Sequence, residues 1–325
     1  MRAIQVSAFG STDNLVVQDI SVPVPKADEV LVKVEYASLN FADIMARKGQ
    51  YRTDSMPFVG GLDFTGIVQP SDSTPQELVG KRVMGFATAC QADFVVAKQA
   101  LVAVVPTDLD VTRVAASPLV ACTAIELLER AAKVLPGEKV AIYAASGGVG
   151  QILVQLSKRM GMGKILALVG SASKAKRAED LGASATVIYR GENAHNYSEE
   201  VLGETDGVGV DAIFNSIAGW TFDQDSRMLA PFGRSVVYGM ASGEPGIIPS
   251  NKLHPTSRSI IGYSFSNLRN QRPYEVKPIL KRAVDLLQQG IEFQIAEIFK
   301  PGDAPAAHAL LESGGSQGKI LFDFN

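Results

Sequence analysis

Apolar and polar positions change their rhythm twice along the 325 residues of the chain. Up to about residue 110, short runs rich in Val and Ile recur between turns. Residues 2–6, 16–20 and 29–36 read as strands, and Leu31-Val32-Lys33-Val34-Glu35-Tyr36 partly alternates. Pro23, Pro25, Pro57, Gly60, Gly61, Gly66, Gly80 and Gly85 punctuate this stretch. Short strands between such turns predict a compact barrel-like or sandwich β domain.

The second rhythm is helical and then alternating. Residues 111–134 are rich in Ala and Leu and predict a helix, closed by Pro136-Gly137. Uninterrupted apolar runs follow at 140–144, 165–169, 186–189, 210–214 and 235–238, with helical stretches at 151–160 and 174–181. Strands without alternation are buried on both faces, so these βαβ units predict a doubly wound parallel sheet. Residues 258–265 read as a sixth strand, and Trp220 is expected to pack a helix on the sheet. Near the end, 274–289 forms an amphipathic helix stopped by Gly290, and 319–324 a last strand.

Composition narrows the function. At 46% apolar and 20% charged residues, the chain reads as globular. Thirty-one basic against 34 acidic residues leave a net charge of −3, which gives no support for a nucleic-acid partner or an anionic membrane surface. No run approaches the roughly 18 apolar residues of a membrane span. The only cysteines, Cys90 and Cys122, cannot build a disulfide framework or a four-cysteine zinc site, so the expected setting is cytoplasmic. Cys122, with apolar flanks, is expected to be buried and inert.

The sharpest local signal is Ala144-Ala145-Ser146-Gly147-Gly148-Val149-Gly150, between a predicted strand and a predicted helix. Gly147 would let backbone approach a pyrophosphate, and Gly150 would let helix and strand pack closely. The helix N-terminus adds free N–H groups and a positive dipole end. An NAD site places Asp or Glu about 20 residues on, at the end of the second strand. Here that position holds Gly170-Ser171-Ala172-Ser173-Lys174. A missing carboxylate, with hydroxyls and a lysine in its place, favours NADPH.

Several motifs in order carry a wider resemblance: Leu39-Asn40-Phe41-Ala42-Asp43, Arg47-Lys48-Gly49-Gln50-Tyr51, Gly61-Leu62-Asp63-Phe64-Thr65-Gly66, Gly80-Lys81-Arg82-Val83, the 144–150 loop, Tyr238-Gly239-Met240-Ala241-Ser242-Gly243 and Gly318-Lys319-Ile320. With these the chain resembles the medium-chain dehydrogenase/reductase superfamily, in particular its zinc-independent quinone oxidoreductase branch. The resemblance implies a chaperonin-10-like β domain from 1–122 and 264–325, and a Rossmann domain from 123–263. It also implies NADPH and a homodimer through the edge strand of the Rossmann sheet. Zinc-dependent relatives carry Cys at the position of Leu39 or Asn40, and Gly-His-Glu at Gly61-Leu62-Asp63. No metal is therefore expected, and His195, His254 and His308 are expected at the surface or in loops.

The expected activity is hydride transfer from NADPH to a quinone or an α,β-unsaturated carbonyl, a small apolar electrophile. Tyr51 matches a proton-delivering Tyr of the related enoyl-thioester reductases. Asn40 is expected to turn its amide to the nicotinamide ribose or the substrate carbonyl. Asp43 and Asp63 are expected to hold backbone turns. Thr123 matches a family position near the nicotinamide, and Tyr189 one near the 2′-phosphate, beside Ser171 and Lys174; Phe265 is also expected to bind the cofactor. Asn215 and Ser216 end the fourth strand. Gly239, Met240, Ala241 and Ser242 end the fifth, where backbone N–H and C=O groups would meet the carboxamide. Phe41 and Phe265 are expected in the substrate cleft. Arg269, Arg272 and Lys277 are expected to be solvated, although a basic entrance would favour the alternative of an enoyl-thioester reductase on an acyl-CoA or carrier-bound substrate. A further alternative is an NADPH-binding regulatory protein with little catalysis.

Overall fold

The apolar runs in the middle of the chain pair side by side into one parallel sheet. In the computed structural model, which describes residues 1–51 and 56–325, its strands are β1 (Lys139–Tyr143), β2 (Lys164–Val169), β3 (Ala185–Ile188), β4 (Val210–Asn215), β5 (Leu229–Val237) and β6 (Ser259–Gly262). Their order is β3-β2-β1-β4-β5-β6, all neighbours parallel. Val140, Ala141, Ile142 and Tyr143 are wholly buried, as the lack of alternation predicts. Each such large apolar side chain contributes about 1.5–3 kcal/mol by leaving water. The order reverses between β1 and β4, and open α/β sheets bind ligands at the carboxyl ends of the strands at such a reversal. Crossover helices are α1 (Gly148–Arg159), α2 (Ala175–Asp180), α3 (Tyr197–Gly203) and α4 (Thr221–Met228).

By its contacts the chain divides into two compact units, 123–266 around this sheet and 1–122 with 267–325. The return to the first unit falls at Asn267 rather than at 264. That unit is built on a seven-stranded sheet in which the long strand Glu29–Leu39 is central. It pairs antiparallel with Asp63–Val68, with Phe94–Lys98 and with the terminal strand Lys319–Asp323. The register Ile320↔Leu39 brings the end of the chain against Asn40. Val30, Val32, Val34, Phe64, Ile320 and Phe322 form part of its core.

Four sequence expectations are corrected here. The helix expected over 111–134 is broken into Val111–Ala116, Pro118–Glu126 and a π turn at Leu127–Ala131. Pro118 has no N–H to continue the ladder. The sixth strand stops at Gly262, and Phe265 opens the helix Phe265–Gln271 instead. The helix expected from Lys174 begins one residue later, after a 3₁₀ turn at Ala172–Lys174. His308 is not at the surface: it is 1% exposed within the helix Ala304–Glu312. Among the described residues, no helix is long and apolar enough to cross a membrane.

Candidate functional site

The glycine loop leaves β1 through Ala144, held at φ +49°, and enters α1 with Gly147 as N-cap. Gly147 donates its N–H to the Ala144 carbonyl at 2.8 Å. A Cβ on Gly150 would lie 2.2 Å from that carbonyl oxygen and 2.6 Å from the Ala145 Cα, so only glycine lets α1 approach the strand. The first turn of α1 has N–H groups with no partner inside the helix. Ser146 is buried; Gly147, Gly148 and Val149 are half-buried.

At the end of β2, Ser171 and Ser173 share a hydrogen bond of 3.0 Å, and Lys174 is half-buried. Burial and the neighbouring Arg190 lower the Lys174 ammonium from its ordinary value. A Cβ on Gly170 would lie 3.5 Å from the Arg190 Cδ, so Arg190 flanks the same strand end. Sequence reasoning missed Arg190; its position directly after Tyr189 was the available signal. Lys176 pairs with Asp180 across an exposed helix face, as a solvated lysine does. Tyr189 is 3% exposed, with the Arg190 guanidinium 5.7 Å from its ring centroid. Trp220 stacks on Tyr189 at 6.3 Å and 24° and is 39% exposed.

At the ends of β4 and β5, two expectations change. The Asn215 side chain does not face a ligand: it is wholly buried. Its Nδ2 donates to Thr221 Oγ1 and Asp225 Oδ2, both at 2.8 Å, and its Oδ1 accepts from the N–H of Ile217 and Ala218. Ala241 and Ser242 do not offer their N–H groups either, since these go to the Ser216 and Ile217 carbonyls at 3.1 and 2.9 Å. Ser216 and Gly239 touch so closely that a Cβ on Gly239 would lie 2.7 Å from the Ser216 carbonyl oxygen. Met240 is exposed. Thr123, in the helix Pro118–Glu126, and Phe265 are both buried.

In the first unit, Asn40 and Asp43 open the helix Phe41–Arg47. Asp43 Oδ2 accepts from the Asn40 N–H at 2.9 Å, and Oδ1 from the Gly61 N–H at 3.1 Å. Asp63 accepts from the Leu119 N–H at 3.1 Å, so both carboxylates hold backbone. The Asn40 amide, expected to face cofactor or substrate, is instead 6% exposed and bound inside the unit. Its Oδ1 accepts from Lys319 Nζ at 2.6 Å, and its Nδ2 donates to Asp63 at 2.8 Å and Ser38 at 3.2 Å. Burial raises the Asp43 carboxyl to about 6 and lowers the Lys319 ammonium. Tyr51 is 43% exposed, and partial burial raises its hydroxyl, so it keeps its proton at neutral pH. Phe41 is 37% exposed.

Arg269 is not a solvated residue. It is 8% exposed, donates to the Leu62 carbonyl at 3.1 Å and lies 5.0 Å from the Phe86 ring centroid. Cys122 is buried; burial raises the buried Cys90 thiol. Among the described residues, no group of three or more His, Cys, Asp and Glu side chains is placed to hold a metal ion.

Known proteins share both units. Residues 26–107 match the alcohol dehydrogenase GroES-like domain, and 148–284 the zinc-binding dehydrogenase domain. The quinone oxidoreductase of Mus musculus is 31% identical over 99% of this chain and 97% of its own length. The structure of Escherichia coli quinone oxidoreductase complexed with NADPH is 26% identical, with a TM-score of 0.91 over 99% of this chain and all of that one. CurK enoyl reductase is 26% identical, with a TM-score of 0.88 over 99% and 98%. A GroES-like unit joined to a Rossmann sheet places the chain in the medium-chain dehydrogenase/reductase superfamily. Within that superfamily it belongs to the quinone oxidoreductase-like branch.

Proposed function

We propose that the protein is an NADPH-dependent oxidoreductase that delivers hydride to a small apolar electrophile, a quinone or an α,β-unsaturated carbonyl. One observation carries the cofactor half. Lys174 and Arg190 flank Gly170 and Ser171 at the end of β2, where an NAD site has a carboxylate. Two cations beside serine hydroxyls suit a 2′-phosphate and have no use for a ribose hydroxyl. The solved complex of the Escherichia coli relative with NADPH supports the same reading.

In this reading the backbone of Ser146, Gly147, Gly148, Val149 and Gly150 cradles the pyrophosphate. Ser171, Lys174 and Arg190 take the 2′-phosphate, with the Tyr189 ring as support. Ser216, Gly239, Met240, Ala241 and Ser242 frame the nicotinamide half, the last two through their carbonyls. Thr123 and Phe265 wall the ring. Asn215 and Asn40 position loops rather than bind directly.

Bound NADPH supplies the hydride. The chain orients the acceptor and returns a proton, for which the half-exposed, protonated Tyr51 is the candidate donor. A zinc-free reading is supported by Leu39 and Leu62, which offer carbon side chains, and by the Asp63 carboxylate, which is held by Ser38, Asn40 and Leu119. The related fold of CurK and the Tyr51 motif support the enoyl-thioester reductase as second reading. The burial of Arg269 removes one side chain of the basic entrance which that reading favours. The strand β6, paired on one side by β5, supports a homodimer in which the partner's β6 continues the sheet. Neither Cys90 nor Cys122 is joined in a disulfide, which suits a cytoplasmic setting.

Titration calorimetry with NADPH and NADH tests the reading. NADPH is expected to bind at least about tenfold tighter, the worth of one charge-assisted hydrogen bond. Equal affinities overturn the cofactor assignment.

A further inference from the structure

Where the strand order reverses, one carboxylate ties both sides of the sheet together. Asp225, on α4, is wholly buried. Its Oδ1 accepts from the Tyr143 hydroxyl, at the end of β1, at 2.7 Å. Its Oδ2 accepts from Asn215 Nδ2, at the end of β4, at 2.8 Å, and from Ser235 Oγ on β5 at 2.9 Å. β1 and β4 are the two strands between which the strand order reverses. An apolar residue would fill this position at less desolvation cost, so the carboxylate needs a reason.

The reason lies in what Asn215 carries outward. Its Oδ1 receives the N–H groups of Ile217 and Ala218 and so fixes the turn after β4. The Ser216 and Ile217 carbonyls in turn receive Ala241 and Ser242 from the loop after β5. On the other side, the Tyr143 hydroxyl lies 2.6 Å from the Tyr197 hydroxyl. Both rings meet Tyr189 edge-on, and Trp220 stacks on Tyr189 and meets Tyr197 edge-on. A continuous set of contacts therefore runs from Asp225 to Trp220, the only tryptophan of the chain.

We infer that Asp225 is a positioning residue for the dinucleotide: by bridging Tyr143 and Asn215 across the switch point, it sets the two loops against which the nicotinamide half rests. This role rests on the reading of the carboxyl edge as an NADPH site. Burial raises the Asp225 carboxyl to about 6, so at neutral pH it is the ionised acceptor that three donors require. Replacing one acceptor oxygen with an amide NH₂ leaves donors facing donors.

The test compares wild-type protein, Asp225→Asn and Tyr143→Phe by NADPH titration read from Trp220 emission, by NADPH KM and kcat, and by thermal unfolding. Asp225→Asn is expected to weaken NADPH about five- to tenfold and to alter the emission change on binding. Tyr143→Phe, which removes one of the three donors, is expected to weaken NADPH about two- to threefold in the same pattern. Their double variant should lose less than the product of the two. A folded Asp225→Asn with unchanged NADPH affinity and only a lower Tm overturns the role. Where Asp225→Asn does not fold, Tyr143→Phe decides by the same criterion. Failure of the wild-type protein to bind NADPH overturns the cofactor reading and this role with it; wild-type binding with unaffected variants overturns this role alone.

Discussion

The Lys319 ammonium lies 2.6 Å from the Asn40 side-chain oxygen, although 279 positions separate the two residues. The same Nζ donates to the Leu39 carbonyl at 2.9 Å, so the last strand of the chain holds the start of the helix Phe41–Arg47. Lys319→Met removes this donor and leaves the Asn40 oxygen and the Asp63 carboxylate buried without it. Such a loss costs about 3–5 kcal/mol. Urea denaturation measures it, and an unfolding free energy within about 1 kcal/mol of wild type contradicts the network.

Two buried carboxyls give stability a pH dependence of known sign. Burial raises Asp43 and Asp225 each to about 6. The folded state then holds these protons more tightly than the unfolded chain, whose carboxyls titrate near about 4. Each group therefore favours the fold most at the acid end and lowers stability as pH rises through about 4 to 6, by on the order of 2–3 kcal/mol. Asp225→Asn lacks one of these protons, so its stability relative to wild type should rise across that window. Parallel stability curves for the two proteins would remove Asp225 from this account.

Gly150→Ala places a methyl group 2.2 Å from the Ala144 carbonyl oxygen. The start of α1 must shift, at a cost of about 1–3 kcal/mol. A lower Tm and weaker NADPH binding are expected together. Unchanged binding separates the 144–150 loop from the cofactor.

Lys174→Ala and Arg190→Ala each remove a cation from the end of β2. Each is expected to weaken NADPH by about 1.5–3 kcal/mol while leaving NADH almost unchanged. Calorimetry with both cofactors checks this, and equal losses for NADPH and NADH place the two cations elsewhere than the 2′-phosphate.

Tyr51→Phe is expected to lower kcat on an enone by about 10²-fold or more and to leave NADPH affinity intact, as loss of a proton donor does. A quinone, which solvent protonates readily, should be affected less. Unaltered enone turnover makes Tyr51 a packing residue.

Much of the fold is legible in local pattern. The unbroken apolar runs that become β1 to β5 and the Gly147–Gly150 spacing are local properties, and the structure keeps them. What local pattern missed depends on partners distant in sequence. Asn40 and Asn215 look free as single residues at element ends, yet Lys319 and Asp225 determine where their amides point. Asp225 carries no motif, because its acceptor role exists only once β1, β4 and β5 lie side by side. Arg269 reads as a surface cation until Phe86 and the Leu62 carbonyl close around it. Phe265 follows a β-prone run, and only the end of the pairing with β5 at Gly262 shows that the strand has stopped.

The central claim is hydride transfer from NADPH to a conjugated acceptor, and NADPH consumption by the purified wild-type protein tests it most directly. The nicotinamide absorbance is followed with a benzoquinone, an ortho-quinone, a short alkenal and an enoyl-CoA, with NADH in parallel. The account predicts rapid NADPH oxidation with a quinone or the alkenal and slow oxidation of NADH. Tight NADPH binding without consumption by any of the four acceptors contradicts it and leaves a cofactor-binding protein with another role.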